Sequence, residues 1–401
     1  MKNLFQFIFI IFSLLCFIQC NKNDDLNNGV NISDDNFIQA LIKRGYDLNN
    51  DNIISKDEIE AITLLNLNDA NISDLSGIED FINLETLWCY KNNLSILDIS
   101  QNLKLKLLDC RWNNIHYLNI DNPTLEEIYC SSNSLQNLDL SRVLSLVKID
   151  CDENKLENLD VSKCTSLEEL HCYQNSLTTI DISKNSKLTF LDCSTNDITA
   201  LDVSNNLELE YLNCINSKLK KLDVSKNLNL KFLVCASSPV QSLDVSNNGK
   251  LKELVCGDCQ LNSLDVTSND SLTYLYCVHN NLSNLDISKN LELNDLNCEW
   301  NPLFNLDVSN NIKLTSLSCR GNELSNLDVT NNTLLNVLVC CSNSLTSLNI
   351  SKNKELTMLW MEDMPSLNNV CVWTLPFPPE KLKLKTNNSP NINFITDCSN
   401  E

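Results

Sequence analysis

The chain has 401 residues, of which 52 are acidic and 30 basic, for a formal charge of −22 at neutral pH. A surface this acidic repels phosphate backbones, so nucleic acid is not an expected partner, whereas cations and basic partners are favoured. With 43% apolar residues a continuous core can form, and with only 6 glycines no glycine-rich phosphate loop can be assembled.

The N-terminus reads as an export signal: Lys2 is followed by an apolar run over residues 4–18, too short for a confident membrane span. The run ends at Phe17-Ile18-Gln19-Cys20 and is followed by Lys22 and the acidic pair Asp24-Asp25. This resembles a bacterial lipoprotein signal, and the Lys and paired acids resemble the surface-export signal of Bacteroidota lipoproteins. Phe17 and Gln19 depart from the usual leucine and small residue. The resemblance implies residues 1–19 as signal, Cys20 as the lipidated residue, and an outer-membrane lipoprotein at the cell surface. A cleaved signal with a secreted product is the alternative. Residues 20–34 are rich in Asn and Asp and read as a flexible tether.

Residues 35–63 form an N-terminal cap. An amphipathic helix is expected over residues 37–45, leading into Asp47-Leu-Asn-Asn-Asp-Asn-Ile-Ile-Ser-Lys-Asp-Glu58. The spacing fits the twelve-residue EF-hand loop, with oxygen ligands from Asp47, Asn49, Asp51, the carbonyl of Ile53, Ser55 and Glu58, and so predicts a structural calcium site. Asn52 stands where Gly makes the sharp turn, and Asn tolerates the left-handed conformation. The alternative is a polar turn with an acidic helix start. Glu58 should open a second helix running to Ile62. Residues 72–84 belong to a longer, 22-residue rung, which resembles the N-terminal rungs of internalin-type proteins and so implies a small helical turn.

From Cys89 to Cys340 thirteen cysteines recur every 21 residues, with one interval of 20 between Cys110 and Cys130. A fixed period of this size predicts a stacked repeat, not separate globules. The skeleton is L-x-x-L-x-C-x-x-N-x-L-x-x-L-D-V-S-x-N; in one rung Leu254 and Cys256 point to one side of a short strand and Val255 and Gly257 to the other. These residues resemble leucine-rich repeats. The cysteine in the strand followed by L-D-V-S resembles the internalin J type and related surface proteins of Bacteroidota. The fold class expected is an α/β solenoid: a leucine-rich repeat horseshoe with short parallel strands on its concave face, about fifteen rungs over residues 64–363, an EF-hand-like helical N-cap and an irregular C-cap over 364–401. The resemblance implies that the asparagine three residues after the cysteine is buried and bonded to the turn backbone, as a buried amide must be to offset its desolvation. It is replaced by Ser217, Ser238 and Cys259 in three consecutive rungs, where weaker or reshaped turns are expected. In the proline-rich C-cap of an exported protein, Cys371 and Cys398 are expected to pair.

No catalytic constellation is placed by the repeat, and an enzyme is not expected. His116, His171 and His279 lie on separate rungs, and the ladder cysteines should be buried, neutral thiols, neither paired nor nucleophilic. Cys256 and Cys259 have C-x-x-C spacing, but Cys256 points inward and no second pair follows. The eleven Asp of the L-D-V-S row read as turn stabilisers, with a calcium ladder as the sharper alternative. Recognition is expected on the concave face, from residues flanking the cysteines. Trp88, Tyr90, Asp109, Trp112, Tyr129, Asp150 and Tyr173 form one candidate patch, with Asp152 and Asp192 nearby. Tyr276 and Trp300, with Tyr274, form a second. The function expected is a monomeric surface binding or adhesion protein with a macromolecular ligand, protein first. A glycan ligand, or an envelope role without a dedicated ligand, are the alternatives.

Overall fold

The computed structural model describes residues 29–398, which fall into two compact units, one ending at Leu125 and the other beginning at Glu126. The expected signal, Cys20 and the start of the tether lie outside the described residues. Among the described residues no helix is long and apolar enough to cross a membrane.

The first unit opens with helix α1, Asp35–Lys43. It starts two residues earlier than the apolar pattern suggests because Asp34 caps it: Oδ1 accepts the N–H of Asn36 at 2.8 Å and of Phe37 at 3.1 Å. Gly45, with φ +84°, lets the chain leave it. Phe37 and Leu41 are fully buried, and the Phe37 ring lies against Phe81 with centroids 6.2 Å apart. Helix α2 is only Lys56–Ile59, with Ser55 and Glu58 forming a capping box. It stops three residues short of Ile62 because the chain must be extended again at Leu64–Asn66, the first strand. That strand pairs in parallel with Thr86–Trp88, which pairs in turn with Leu107–Asp109, so Leu65, Leu87 and Leu108 align. A short 3-10 turn, Ile78–Asp80, lies on the longer rung as expected.

The second unit repeats one plan. Thirteen three-residue strands, from Glu127–Tyr129 to Lys383–Lys385, lie parallel, one per rung. The register is strict, Leu212 to Leu233 to Leu254, so the inward column holds leucine across these rungs. Leu254 and Cys256 are fully buried, with Val255 half-buried on the other side, as period-two alternation requires. Together the units hold sixteen such strands, one more than the 21-residue period reveals. The extra one, Lys383–Lys385, follows Met358–Trp360 after a longer, proline-containing connection, and Leu384 takes the leucine column's place beside Leu359. The C-cap is therefore partly regular. Its second sheet pairs Ser347–Asn349, Asn369–Cys371 and Asn393–Ile395 in parallel. Cys371 and Cys398 are joined there, with Cα atoms 5.8 Å apart.

Two columns of asparagine hold the rungs in register. At the position after each cysteine turn, Asn196 donates to the carbonyls of Cys172 (2.9 Å) and Cys193 (3.1 Å) and accepts the N–H of Leu177 (3.0 Å). The residue before it takes a left-handed backbone, φ 51° at Thr195 and 54° at Trp300, and the amide's bonds offset that strain. The second column, the last Asn of the skeleton, has no role in the sequence reading. Asn248 donates to Val224 O (3.1 Å) and Asn227 O (2.9 Å), while its Oδ1 is buried without a hydrogen-bond partner.

Where the first column is lost, the turns change shape. Gln241 and Gln260, after Ser238 and Cys259, adopt φ 62°. The Ser217 and Ser238 hydroxyls bond each other at 2.9 Å, and the Cys259 thiol donates to Cys235 O (3.2 Å) and Gly257 O (3.4 Å). Cys259, with a single S–H, thus replaces one of the missing amide's two donors and not its acceptor.

Candidate functional site

The open face of the strand sheet carries the side chains on either side of each cysteine. In the first unit Trp88 and Tyr90 flank Cys89 and are half-buried, while Trp112, at the left-handed turn position, is 60% exposed. Asp109 pairs in register with Trp88 but is not an open carboxylate. Arg111 Nε donates to Oδ1 (2.9 Å) and Nη2 to Oδ2 (2.7 Å), and the guanidinium stands 6.0 Å from the Tyr90 ring centre. This rung therefore shows a guanidinium on an aromatic ring where the sequence suggested an acid.

In the second unit the Tyr129 hydroxyl donates to Glu127 (2.7 Å), and the Lys148 ammonium stands 5.6 Å from its ring. Asp150 accepts the Ser131 hydroxyl at 3.2 Å, and Asp152 accepts the Tyr173 N–H at 2.6 Å. Burial pushes the Asp152 carboxyl up to about 7, with the negative charge of Asp150 next and that of Asp192 adding to it, against the Tyr173 bond that favours the charged form. Beside this acidic group runs a row of stacked rings: His171 on Phe190 (4.4 Å), Phe190 on Tyr211 (4.2 Å) and Tyr211 near Phe232 (6.1 Å). The sequence reading missed Phe190, Tyr211 and Phe232 because it considered residues beside the cysteine. The signal was there: three consecutive rungs carry an aromatic three residues before it, with the same outward parity.

Tyr276 and Trp300 stand farther along the same unit. A side chain at Gly257 would come within 2.8 Å of the Tyr276 ring, and Trp300 lies across Gly321 in the same manner, where a Cβ would clash with it. His279 stacks on Trp300 at 5.8 Å, and the Arg320 guanidinium lies 5.3 Å from that ring.

The 47–58 loop is held by its own side chains. Asp47 accepts the N–H of Asp51 (3.2 Å) and Asn52 (3.0 Å), Asn49 Oδ1 that of Asp51 (2.8 Å), and Asp51 that of Ile53 (2.8 Å). Asn50 and Asn52 are left-handed, φ 59° and 65°. Burial would raise the Glu58 carboxyl, but hydrogen bonds from Ser55 and from the N–H of Leu48 and Asn49 outweigh it and hold it below the usual range. The donor set suits a hard cation. Glu58, however, is turned onto backbone N–H groups, and among the described residues no three acidic, histidine or cysteine side chains converge on one point.

Compared with known proteins, the chain superposes on the functional domain of InlJ from Listeria monocytogenes, described as including a cysteine ladder, with a TM-score of 0.80 and 33% identity over 86% of this chain and 76% of that one. The chain belongs to the internalin J family of cysteine-ladder leucine-rich repeat proteins. It is also 34% identical over 69 residues to Internalin J of Listeria monocytogenes serotype 4b, a match spanning 17% of this chain and 7% of that protein. A leucine-rich repeat protein of Leptospira interrogans shares the fold, with a TM-score of 0.70 at 21% identity over 82% of this chain and 97% of that one. No family model matches the chain.

In this internalin J-type ladder the cysteines are free, buried thiols. Burial pushes Cys193 and Cys277 up to about 12, so these thiols are uncharged at neutral pH. Several donate across rungs, Cys151 to His171 O (3.2 Å) and Cys172 to Asp192 O (3.3 Å). The L-D-V-S aspartates each accept the N–H two residues on, as Asp244 does from Ser246 at 2.9 Å. The Ser246 hydroxyl and that N–H hold the Asp244 carboxyl below its ordinary range. This row shapes turns.

Proposed function

We propose that this chain is a cell-surface binding or adhesion protein that holds a macromolecular ligand, a protein, on the open strand face. One observation carries the reading. The inward columns are nearly constant Leu and Cys, whereas the outward positions of the same strands change from rung to rung and hold aromatic and charged side chains on a rigid sheet. In the first unit the surface is Trp88, Tyr90, the Arg111–Asp109 pair and Trp112. Replacing Trp88, Tyr90 and Trp112 with Ala should abolish capture of the partner recovered from the organism's surroundings and leave the circular dichroism spectrum intact. Undiminished capture sinks the reading.

Sugar binding is the second reading, favoured by the flat exposure of Trp112 (60%) and Trp300 (41%). A glycan array positive while no protein partner is recovered would select it. For anchoring, the apolar run ending at Cys20 supports an exported lipoprotein of the outer membrane. Metabolic labelling with a fatty-acid analogue should mark the chain and fail on Cys20→Ala. For calcium, the spacing of Asp47, Asn49, Asp51, Ser55 and Glu58 supports a structural site in which Glu58 exchanges its N–H donors for the ion. Titration calorimetry should give heat that is lost on Asp47→Ala, and absence of heat in the unsubstituted chain ends the proposal.

A further inference from the structure

Four aromatic groups on the strand face are matched with a cation of the chain itself. Arg111 serves Tyr90, Lys148 serves Tyr129, Arg320 serves Trp300, and Lys385 lies 3.9 Å from the Trp360 ring centre. One row in the second unit differs. Phe190, Tyr211 and Phe232 are half-buried rings in line, and among the described residues no ammonium or guanidinium lies over them. The nearby lysines are engaged elsewhere, Lys148 with Glu169 and Lys231 with Glu210.

Two acids border the same row, a third lies two strands beyond Phe190, and among the described residues none of them has a charged partner. Asp192 accepts from Ser194 and from the Asn213 amide (3.0 Å), Asp152 from a backbone N–H, and Glu253 stands in register beside Phe232. No ion pair engages these three carboxylates among the described residues. Ring faces bordered by unpaired carboxylates are suited to a cation, and elsewhere on this face the molecule makes that pairing for itself.

We propose that the Phe190–Tyr211–Phe232 row seats an arginine or lysine of a peptide segment of the ligand, with the cation over the rings between Asp192 on one side and Glu253 on the other, and with Asp152 adding negative charge from two strands beyond Asp192. Ile215, Val234 and Val255 lie alongside the row at the neighbouring outward positions as half-buried apolar side chains, so the residues next to that cation are apolar. The proposal rests on the reading of the strand face as the binding surface and adds the chemistry of what it binds.

The probe is a fluorescent peptide alternating Arg and Val, compared with versions carrying Gln or Glu in place of Arg, titrated into the full chain by fluorescence anisotropy. The Arg peptide should bind, and added salt should weaken it. The Gln and Glu peptides should bind at least about tenfold more weakly. Asp152→Asn with Asp192→Asn, and separately Tyr211→Ala, should each weaken the Arg peptide at least about tenfold. Asp202→Asn with Asp223→Asn, which removes at least as much charge from the turn row, should leave it unchanged. Equal binding of the Gln peptide, indifference to the Asp152/Asp192 pair, or equal loss with the turn-row pair would overturn the proposal. If the natural partner is lost with Tyr211→Ala but ignores Asp152 and Asp192, the binding-face reading stands and the cation seat falls. If it ignores both, both fall.

Discussion

At the residue scale the two asparagine columns are chemically unequal although both are buried amides. Asn196 has donors and acceptor all engaged, whereas Asn248 donates twice and leaves Oδ1 buried and unpaired. Replacing Asn196 with Ala leaves two carbonyls and an N–H unpaired inside the core and should cost about 3 kcal/mol. Asn248→Ala gives up two bonds but also removes an unpaired acceptor, so its loss should be about half that. Urea denaturation of the two variants checks the order, and an equal or reversed order would show that the second column's oxygens are satisfied in solution. The first column was legible because the skeleton resembles leucine-rich repeats, in which the asparagine at this place is buried and bonded to the turn backbone. The second was visible as a repeated letter only, since its carbonyl partners lie 21 and 24 residues back and appear only once the rungs are stacked.

At the element scale, helix α1 is fastened to the first unit by one carboxylate. Asp34 caps the helix with Oδ1, and its Oδ2 accepts the Ser73 N–H (2.8 Å), the Ser73 hydroxyl (2.7 Å) and the Asp74 N–H (3.1 Å). Burial would raise this carboxyl, but the bonds from Ser73, Phe37 and Asp74 hold it below its ordinary value of 3.8. A depressed carboxyl adds stability at pH values above its unfolded pKa and loses it as pH falls through the folded one. The α1 cap should therefore loosen as the solution is acidified below about pH 4. Asp34→Ala should loosen it at neutral pH, costing about 2 kcal/mol. Faster amide exchange in α1 and at Ser73, with the second unit unaffected, is the expected result, and unchanged exchange would separate the cap from this residue. The helix was foreseen from its apolar spacing, but its fastening was not, because residue 34 sat at the edge of a stretch read as tether. The last strand escaped for a related reason. Leu384 keeps the column, but the longer connection before it breaks the period that pattern reading depends on.

At the scale of the whole molecule the ladder makes stability depend on alkaline pH. The thiol's ordinary value is 9.0, while in the fold Cys193 and Cys277 are pushed up to about 12 by burial, and other ladder thiols are raised in the same direction. Above pH 9 the unfolded chain therefore holds fewer protons than the folded one, so folding stability falls with rising pH. The contribution is intact below 9 and is lost between 9 and 12. Since each rung buries its apolar face only against its neighbours, one ionised thiol opens core on both sides, and the loss should spread along the stack. We expect far-ultraviolet circular dichroism to be constant up to pH 9 and to collapse cooperatively before pH 12, with thiolate absorbance and alkylation of the cysteines appearing in that same transition. Thiolate signal below pH 9 in a chain that keeps its dichroism would mean that the ladder is open to solvent. A folded chain with silent thiols beyond pH 12 would mean that charge on the sulfurs is not what limits the fold.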